Sequence, residues 1–431
     1  MAERRSPFDL QTCARPNILA LNPYRCARDD YKDDGTNILL DANENAFGPA
    51  LPLNRSRLTD ERESGEPHIN LAGLHRYPDP HQQPLKQLLC NLRNTHVHTP
   101  KKITPQNLFV GVGSDEAIDA LLRCFCAPGR DKIIVCPPTY GMYSVSAQVN
   151  DVGLVKIPLL PAPEFAIDVP GITSTLSSAE ASNIKLIYVC SPGNPTGSLI
   201  KKEDLQQLLE HPTWNGVVVL DEAYIDFAPE GSSLAEWVSE WPNLVVMQTM
   251  SKAFGLAGIR LGAAFASEPI VHLLNSMKAP YNIANPSSEI AISALTKDGL
   301  RALELSKENI IQQRRRLLEE LPKVRGVGRF RGGTASNFLL IEMLDTQGQP
   351  DNVTALKVYE RLAEKRGVVV RFRGKEHGCL GCLRITVGTE QEVTRFLKEI
   401  ESVLAQVHAE KDIPNSSSEE QKEVQANAVV S

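Results

Sequence analysis

Lys252 is the residue around which the chemistry of this chain is best organised. It follows the apolar run Leu244–Met247 and the polar Gln248-Thr249-Met250-Ser251. After it come the glycines of Ala253-Phe254-Gly255-Leu256-Ala257-Gly258. A lysine confined at a strand end loses hydration. Its ammonium is disfavoured, and the freed amine suits Schiff-base formation. Arg260, with the hydroxyls of Thr249 and Ser251, could clamp a phosphate. Alone, a Ser-Lys pair reads as a solvated surface lysine; the neighbouring strand ends reverse that reading.

Asp221 closes the apolar run Gly216–Leu220. A buried carboxylate needs a partner, and a pyridinium nitrogen would be one, since an acid there keeps such a ring an electron sink. Tyr224, three residues on, could donate to a ring phenolate. Alternatively, Asp221-Glu222-Ala223-Tyr224 is a helix N-cap with a core tyrosine. Gly113-Ser114-Asp115-Glu116 opens a helix, whose free N–H groups and dipole attract phosphate. Ser114 or Asp115 would otherwise simply cap that helix. Tyr140, after Pro137-Pro138-Thr139, could stack on a ring or be an ordinary turn residue. Arg384 sits inside the apolar stretch 382–388, and Arg371 lies in the same part of the chain. A guanidinium among apolar residues needs an anion, and its planar fork suits carboxylate or phosphate. An internal salt bridge is the alternative.

The elements that must carry these residues are legible. Apolar, non-alternating runs recur at 108–112, 132–136, 154–159, 185–190, 216–220, 244–247 and 260–266, as expected of strands buried on both faces. Helical spacing lies between most of them, as in Ile118, Leu121, Leu122 and Phe125. The alternation predicts an α/β fold with a mostly parallel sheet and right-handed crossovers. In such a sheet ligands bind beyond the carboxyl ends of the strands, where the polar residues above fall. After about residue 285 a long helical stretch leads to strands near 337–342, 367–372 and 382–388. A closing helix follows, with a Thr389/Glu392 capping box and an apolar stripe of Val393, Phe396, Leu397, Ile400, Val403, Leu404 and Val407.

At 431 residues the chain is too long for one ordinary core. The expected organisation is an N-terminal arm (1–48), a charged surface insertion (49–70), a large domain (71–290), a smaller α/β domain (291–408) and a polar, disordered tail (409–431). A net charge of −6 argues against nucleic acid as a partner. No apolar run is long enough to span a membrane, and the start has no secretory pattern. A cytoplasmic location is expected. Nine scattered cysteines read as reduced thiols. The pair Cys379/Cys382 has no companion ligands, so no metal is expected, and His96 and His98 read as a solvated loop.

Taken together, these motifs resemble the fold-type-I pyridoxal-phosphate-dependent aminotransferases, over about residues 17–407. Ser191-Pro192-Gly193-Asn194-Pro195-Thr196-Gly197 and Asp221-Glu222-Ala223-Tyr224 mark that wide family. Asn22-Pro23-Tyr24, Asp41–Asn45, Arg76–Asp79, Cys136–Tyr143, Ser251–Arg260 and Gly381–Gly388 complete the match, and several are narrower, pointing to the histidinol-phosphate branch. The resemblance implies a large domain with a seven-stranded sheet. It implies Lys252 as the Schiff-base lysine, Asp221 on the pyridine nitrogen, Asn194 and Tyr224 on the phenolic oxygen, and Tyr140 stacked on the ring. Ser114, Asp115, Thr249, Ser251 and Arg260 would hold the phosphate. Tyr77 would reach the cofactor of a second subunit in a homodimer. Arg371 and Arg384 would bind substrate anions, with Tyr24 and Asn43 near the substrate. Histidinol phosphate and 2-oxoglutarate, yielding glutamate, are the implied substrates. One departure is Gly193, where Asn is common. Two rivals remain: an aromatic amino-acid aminotransferase of the same fold, and a non-catalytic pyridoxal-phosphate-binding regulatory module.

Overall fold

The computed structural model describes residues 16–21, 31, 36–51 and 73–411. Tyr24, nearly all of the charged insertion and almost the whole polar tail lie outside these residues.

Seven strands form the central sheet: β2 (Leu108–Val112), β3 (Lys132–Val135), β4 (Gly153–Lys156), β5 (Ile184–Cys190), β6 (Val217–Asp221), β7 (Leu244–Thr249) and β8 (Leu261–Ala266), in the order β2-β8-β7-β6-β5-β3-β4. All seven apolar runs became strands. The β4-β3-β5-β6-β7 pairings are parallel, while β8 runs antiparallel to both β2 and β7. The reversal has a local cause: the short link 250–260 turns back without the crossover helix that a parallel neighbour needs. That link carries Lys252. The β4 run, expected to be buried on both faces, is partly exposed, because β4 is an edge strand. Interior strands β5, β6 and β7 are buried almost throughout, and this apolar slab anchors the polar residues at their ends. Ile118, Leu121 and Leu122 of the helix Gly113–Phe125 pack fully buried against it.

The second sheet is antiparallel, in the order β12 (Arg371–Phe372), β13 (Cys382–Thr386), β10 (Phe338–Met343), β9 (Val327–Phe330). Helix Asn352–Arg366 packs beside it, and helix Glu390–Lys411 packs against that helix. The capping box is formed: Thr389 N donates to Glu392 Oε2 at 2.7 Å, and Glu392 N donates to Thr389 Oγ1 at 3.4 Å. One local reading changes. The apolar run 367–372 is two strands, not one. Its first half, β11 (Val368–Val369), pairs in parallel with β1 (Ile38–Leu39), and its second half pairs with β13. The partner of the first half comes from over three hundred residues away, so local sequence could not show the switch. The loop with His96 and His98 is tied down: both backbone N–H groups donate to Glu236 at 2.7 Å.

Candidate active site

At the carboxyl edge of the large sheet lies a cavity of about 210 Å³. Lys252, Asp221, Tyr224, Asn194, Tyr140, Ser114, Asp115, Thr249, Ser251 and Arg260 all line it. These ten residues come from five separate segments, and the sheet brings them to one rim, as the strand-end argument required.

Lys252 Nζ donates to the carbonyl of Ala42 at 2.9 Å and lies 5.7 Å from the centre of the Tyr224 ring. Burial pushes its ammonium down to about 8; Arg384 adds to this, while Glu44 and Asp115 oppose it. The amine is therefore far closer to its neutral form at neutral pH than an ordinary lysine.

Asp221, at the end of β6, is buried and pushed up to about 6 by that burial. The Tyr143 hydroxyl donates to Oδ2 at 2.6 Å and the Ala223 N–H to Oδ1 at 3.1 Å, and both pull the other way. Tyr143 is fully buried and stacks on Tyr188, with ring centroids 4.8 Å apart. It was missed in the sequence, although it lies three residues after Tyr140 in the same motif.

Tyr224 accepts from Asn43 Nδ2 at 2.9 Å, so its own O–H is left to donate. Asn43 is held in turn by the Thr386 hydroxyl, which donates to Oδ1 at 3.0 Å. Asn43 does not line the cavity; it is buried behind Tyr224. Arg384 is buried on β13, where Nη1 donates to Asn194 Oδ1 at 2.7 Å and Nη2 to the Asp41 carbonyl. The Asn194 carbonyl is thereby committed, and its amide N–H groups remain as donors. Arg371 lies opposite Arg384 in register on the adjoining strand, half-buried, outside the cavity lining. Tyr77 is also outside it: 80% exposed, it stacks on Tyr281 at 4.6 Å.

The other end of the cavity is built for an anion. Ser251 N and Thr249 Oγ1 are 3.2 Å apart, the two hydroxyls 2.9 Å, and Arg260 Nη1 stands 3.5 Å from Ser251 Oγ. Gly113 opens its helix in the left-handed region, φ +72°, and a Cβ there would stand 2.6 Å from Arg260 Nη2. Gly262 lets β8 approach that helix end: a Cβ would come within 2.5 Å of Ser114 N. Removing both side chains lets the helix N-terminus and the guanidinium converge on one space. Tyr140 donates to Asp115 Oδ1 at 3.2 Å, and Asp115 also faces Arg260 at 3.5 Å.

A buried carboxylate, a confined amine, two phenols and an anion cradle thus surround one cavity. This donor set fits a phosphorylated pyridine aldehyde: acid for the ring nitrogen, amine for the aldehyde, cradle for the phosphate. Among the described residues no three His, Cys, Asp or Glu side chains are grouped to hold a metal, and no helix is long and apolar enough to cross a membrane.

Comparison with known proteins agrees with this reading. Residues 36–400 match the family model "Aminotransferase class I and II". The histidinol-phosphate aminotransferase of Candida maltosa is 50% identical, covering 93% of this chain and 100% of its own. That of Schizosaccharomyces pombe is 49% identical, covering 94% and 100%. Among solved structures, the histidinol-phosphate aminotransferase of Sinorhizobium meliloti in complex with pyridoxal-5'-phosphate superposes with a TM-score of 0.74, at 21% identity, over 92% of this chain and 98% of its own. A Thermus thermophilus aspartate aminotransferase mutant gives 0.69 at 21% identity, over 90% and 99%. At these identities the two structures speak for the fold alone, and it is the fold-type-I arrangement. The chain is an aminotransferase of the class I and II family and belongs to its histidinol-phosphate branch.

Proposed function

We propose that this enzyme transfers the amino group of L-histidinol phosphate to 2-oxoglutarate, giving imidazole acetol phosphate and L-glutamate in histidine biosynthesis, with pyridoxal phosphate held on Lys252. The observation that carries the reading is the single cavity lined by both Lys252 and Asp221, each with its acidity shifted by desolvation, with a phosphate cradle at one end and Arg384 held just behind the wall by Asn194. The near-full-length identity to named histidinol-phosphate aminotransferases supports the choice of donor.

Pyridoxal phosphate, when bound, supplies an aldehyde that joins amines and a ring that draws electrons from the adjoining carbon. The residues of this chain do the rest. Ser114, Asp115, Thr249, Ser251 and Arg260 fix the phosphate, with Asp115 contributing its backbone N–H. Asp221, kept ionised by Tyr143, holds the ring nitrogen protonated. Tyr224 and Asn194 donate to the ring oxygen, and Tyr140 covers the ring face. Lys252, whose ammonium is lowered to about 8, would have a neutral Nζ able to take up and return the proton of the substrate carbon. Arg384 receives the phosphate of one substrate and a carboxylate of the other, since both present paired oxygens to its fork. Arg371 stands beside it in register, Tyr24 is a further proposed neighbour of the substrate, and Asn43 acts from behind the wall by orienting Tyr224.

The proposal includes a cytoplasmic homodimer in which Tyr77 serves the partner's cofactor; a ring so exposed, away from its own cavity, suits that role. The test of the donor is a single half-reaction: holoprotein mixed with histidinol phosphate and no acceptor. Loss of the cofactor's visible aldehyde absorbance supports the reading, with a much smaller response to phenylalanine. An unchanged spectrum with histidinol phosphate removes it.

A further inference from the structure

The segment Asp41-Ala42-Asn43-Glu44-Asn45 crosses the site in a fixed order. The Asp41 carbonyl meets Arg384, the Ala42 carbonyl meets Lys252 Nζ at 2.9 Å, and the Glu44 side chain comes next on the cavity wall. Neighbouring residues pin this backbone. Asn43 is tied to Tyr224 and Thr386, and Asn45 Nδ2 donates to the Ala253 carbonyl at 2.8 Å. Asn337 Nδ2 donates to the carbonyls of Asn43 at 3.0 Å and Glu44 at 3.2 Å. Asn43 and Asn45 therefore face inward and are buried, while Ala42 and Glu44 between them form wall.

Three carboxylates line the cavity: Asp115, Asp221 and Glu44. Asp115 faces Tyr140 and Arg260, and Asp221 is held by Tyr143 for the ring nitrogen. Glu44 follows the residues that meet Arg384 and Lys252 along its segment, and it also lines the outer groove beside Gly255 and Gly258. A donor with its phosphate on Arg384 and its reacting carbon at Lys252 has its imidazole still to place, and Glu44 is a lining carboxylate that serves neither the ring nitrogen nor the phosphate cradle.

We propose that Glu44 is a specificity-determining residue, whose carboxylate receives the imidazole N–H of the donor; this rests on the histidinol-phosphate reading given above. The same carboxylate repels the distal carboxylate of 2-oxoglutarate, which would occupy the same place. Glu44 thus separates the two substrates in opposite directions, and specificity is such a difference of affinities.

The test is steady-state kinetics of the holoenzyme and E44Q with both substrates varied. A charge-assisted hydrogen bond lost at a semi-enclosed site raises KM for histidinol phosphate about tenfold or more. KM for 2-oxoglutarate falls in the same variant, and E44D recovers part of the donor affinity. An unchanged KM for histidinol phosphate overturns the inference. So does a parallel rise in both KM values, which would place Glu44 in service of Lys252 rather than of the donor. If the unaltered enzyme does not turn over histidinol phosphate, the donor reading itself fails; a working enzyme with an indifferent E44Q fails only the role of Glu44. Retained visible absorbance of the bound cofactor in E44Q shows that the variant is folded and loaded.

Discussion

Replacing Tyr143 with Phe removes one hydroxyl and tests how the ring-nitrogen acid is tuned. In the structure that hydroxyl donates to Asp221 Oδ2 at 2.6 Å, inside a fully buried pair. Burial alone drives Asp221 toward its neutral form, and with Tyr143 in place it stands at about 6. A hydrogen bond to a buried charge contributes about 1.5–3 kcal/mol. At about 1.4 kcal/mol per pKa unit, its loss raises Asp221 by roughly one to two units, into the neutral range. The sign follows directly. A protonated Asp221 cannot pair with a pyridinium, so cofactor affinity falls as pH drops through the Asp221 pKa. Titrating apoprotein with pyridoxal phosphate across pH, with Asp221→Asn to subtract the cofactor's own titration, gives the midpoint. Tyr143→Phe is expected to move that midpoint upward by one to two units while leaving the fold intact. A midpoint that stays in place would show that Tyr143 does not tune Asp221, and the reasoning from burial against hydrogen bonding would be wrong.

Three further outcomes are expected. The rate at which apoprotein captures pyridoxal phosphate should rise with pH about a midpoint near 8, because burial lowers Lys252 to about 8 and only the neutral amine attacks; a midpoint near the ordinary lysine value of 10.5 would contradict the burial argument. Arg384→Ala should raise KM for both histidinol phosphate and 2-oxoglutarate; an effect on one alone would end the shared-anion reading. Gly262→Ala places a Cβ 2.5 Å from the backbone of Gly113 and Ser114, so the helix end must shift. About 1–3 kcal/mol of stability should be lost, with weaker cofactor-phosphate binding; unchanged denaturant midpoint and affinity would refute the cradle geometry.

The large sheet was legible because its strands are continuous apolar runs, each ending in polar residues. Burial on both faces writes itself into composition, and a strand's end is marked where the apolar run stops. That is why Asp221, Thr249, Ser251 and Lys252 could be placed on one rim without coordinates. The antiparallel β8 was not legible, because Leu261–Ala266 has the same apolar texture as its parallel neighbours; direction depends on the link before it. The split of 367–372 escaped for a similar reason, since β1 is only two residues long and lies far away in the chain. Among site residues, Tyr143 and Glu44 were invisible as functional groups. Each sits in a quoted motif, yet which way a side chain points is decided by the tertiary pinning of its neighbours. Asn43 shows the converse: its motif marked it, but its place is behind Tyr224, not on the cavity wall.

Lys252 as the covalent anchor of the cofactor is the claim on which the rest depends. Borohydride reduction of the holoprotein followed by peptide mapping tests it most directly. The expected result is one pyridoxyl-bearing peptide, with the label on Lys252. A label on any other lysine, or none, would contradict the account.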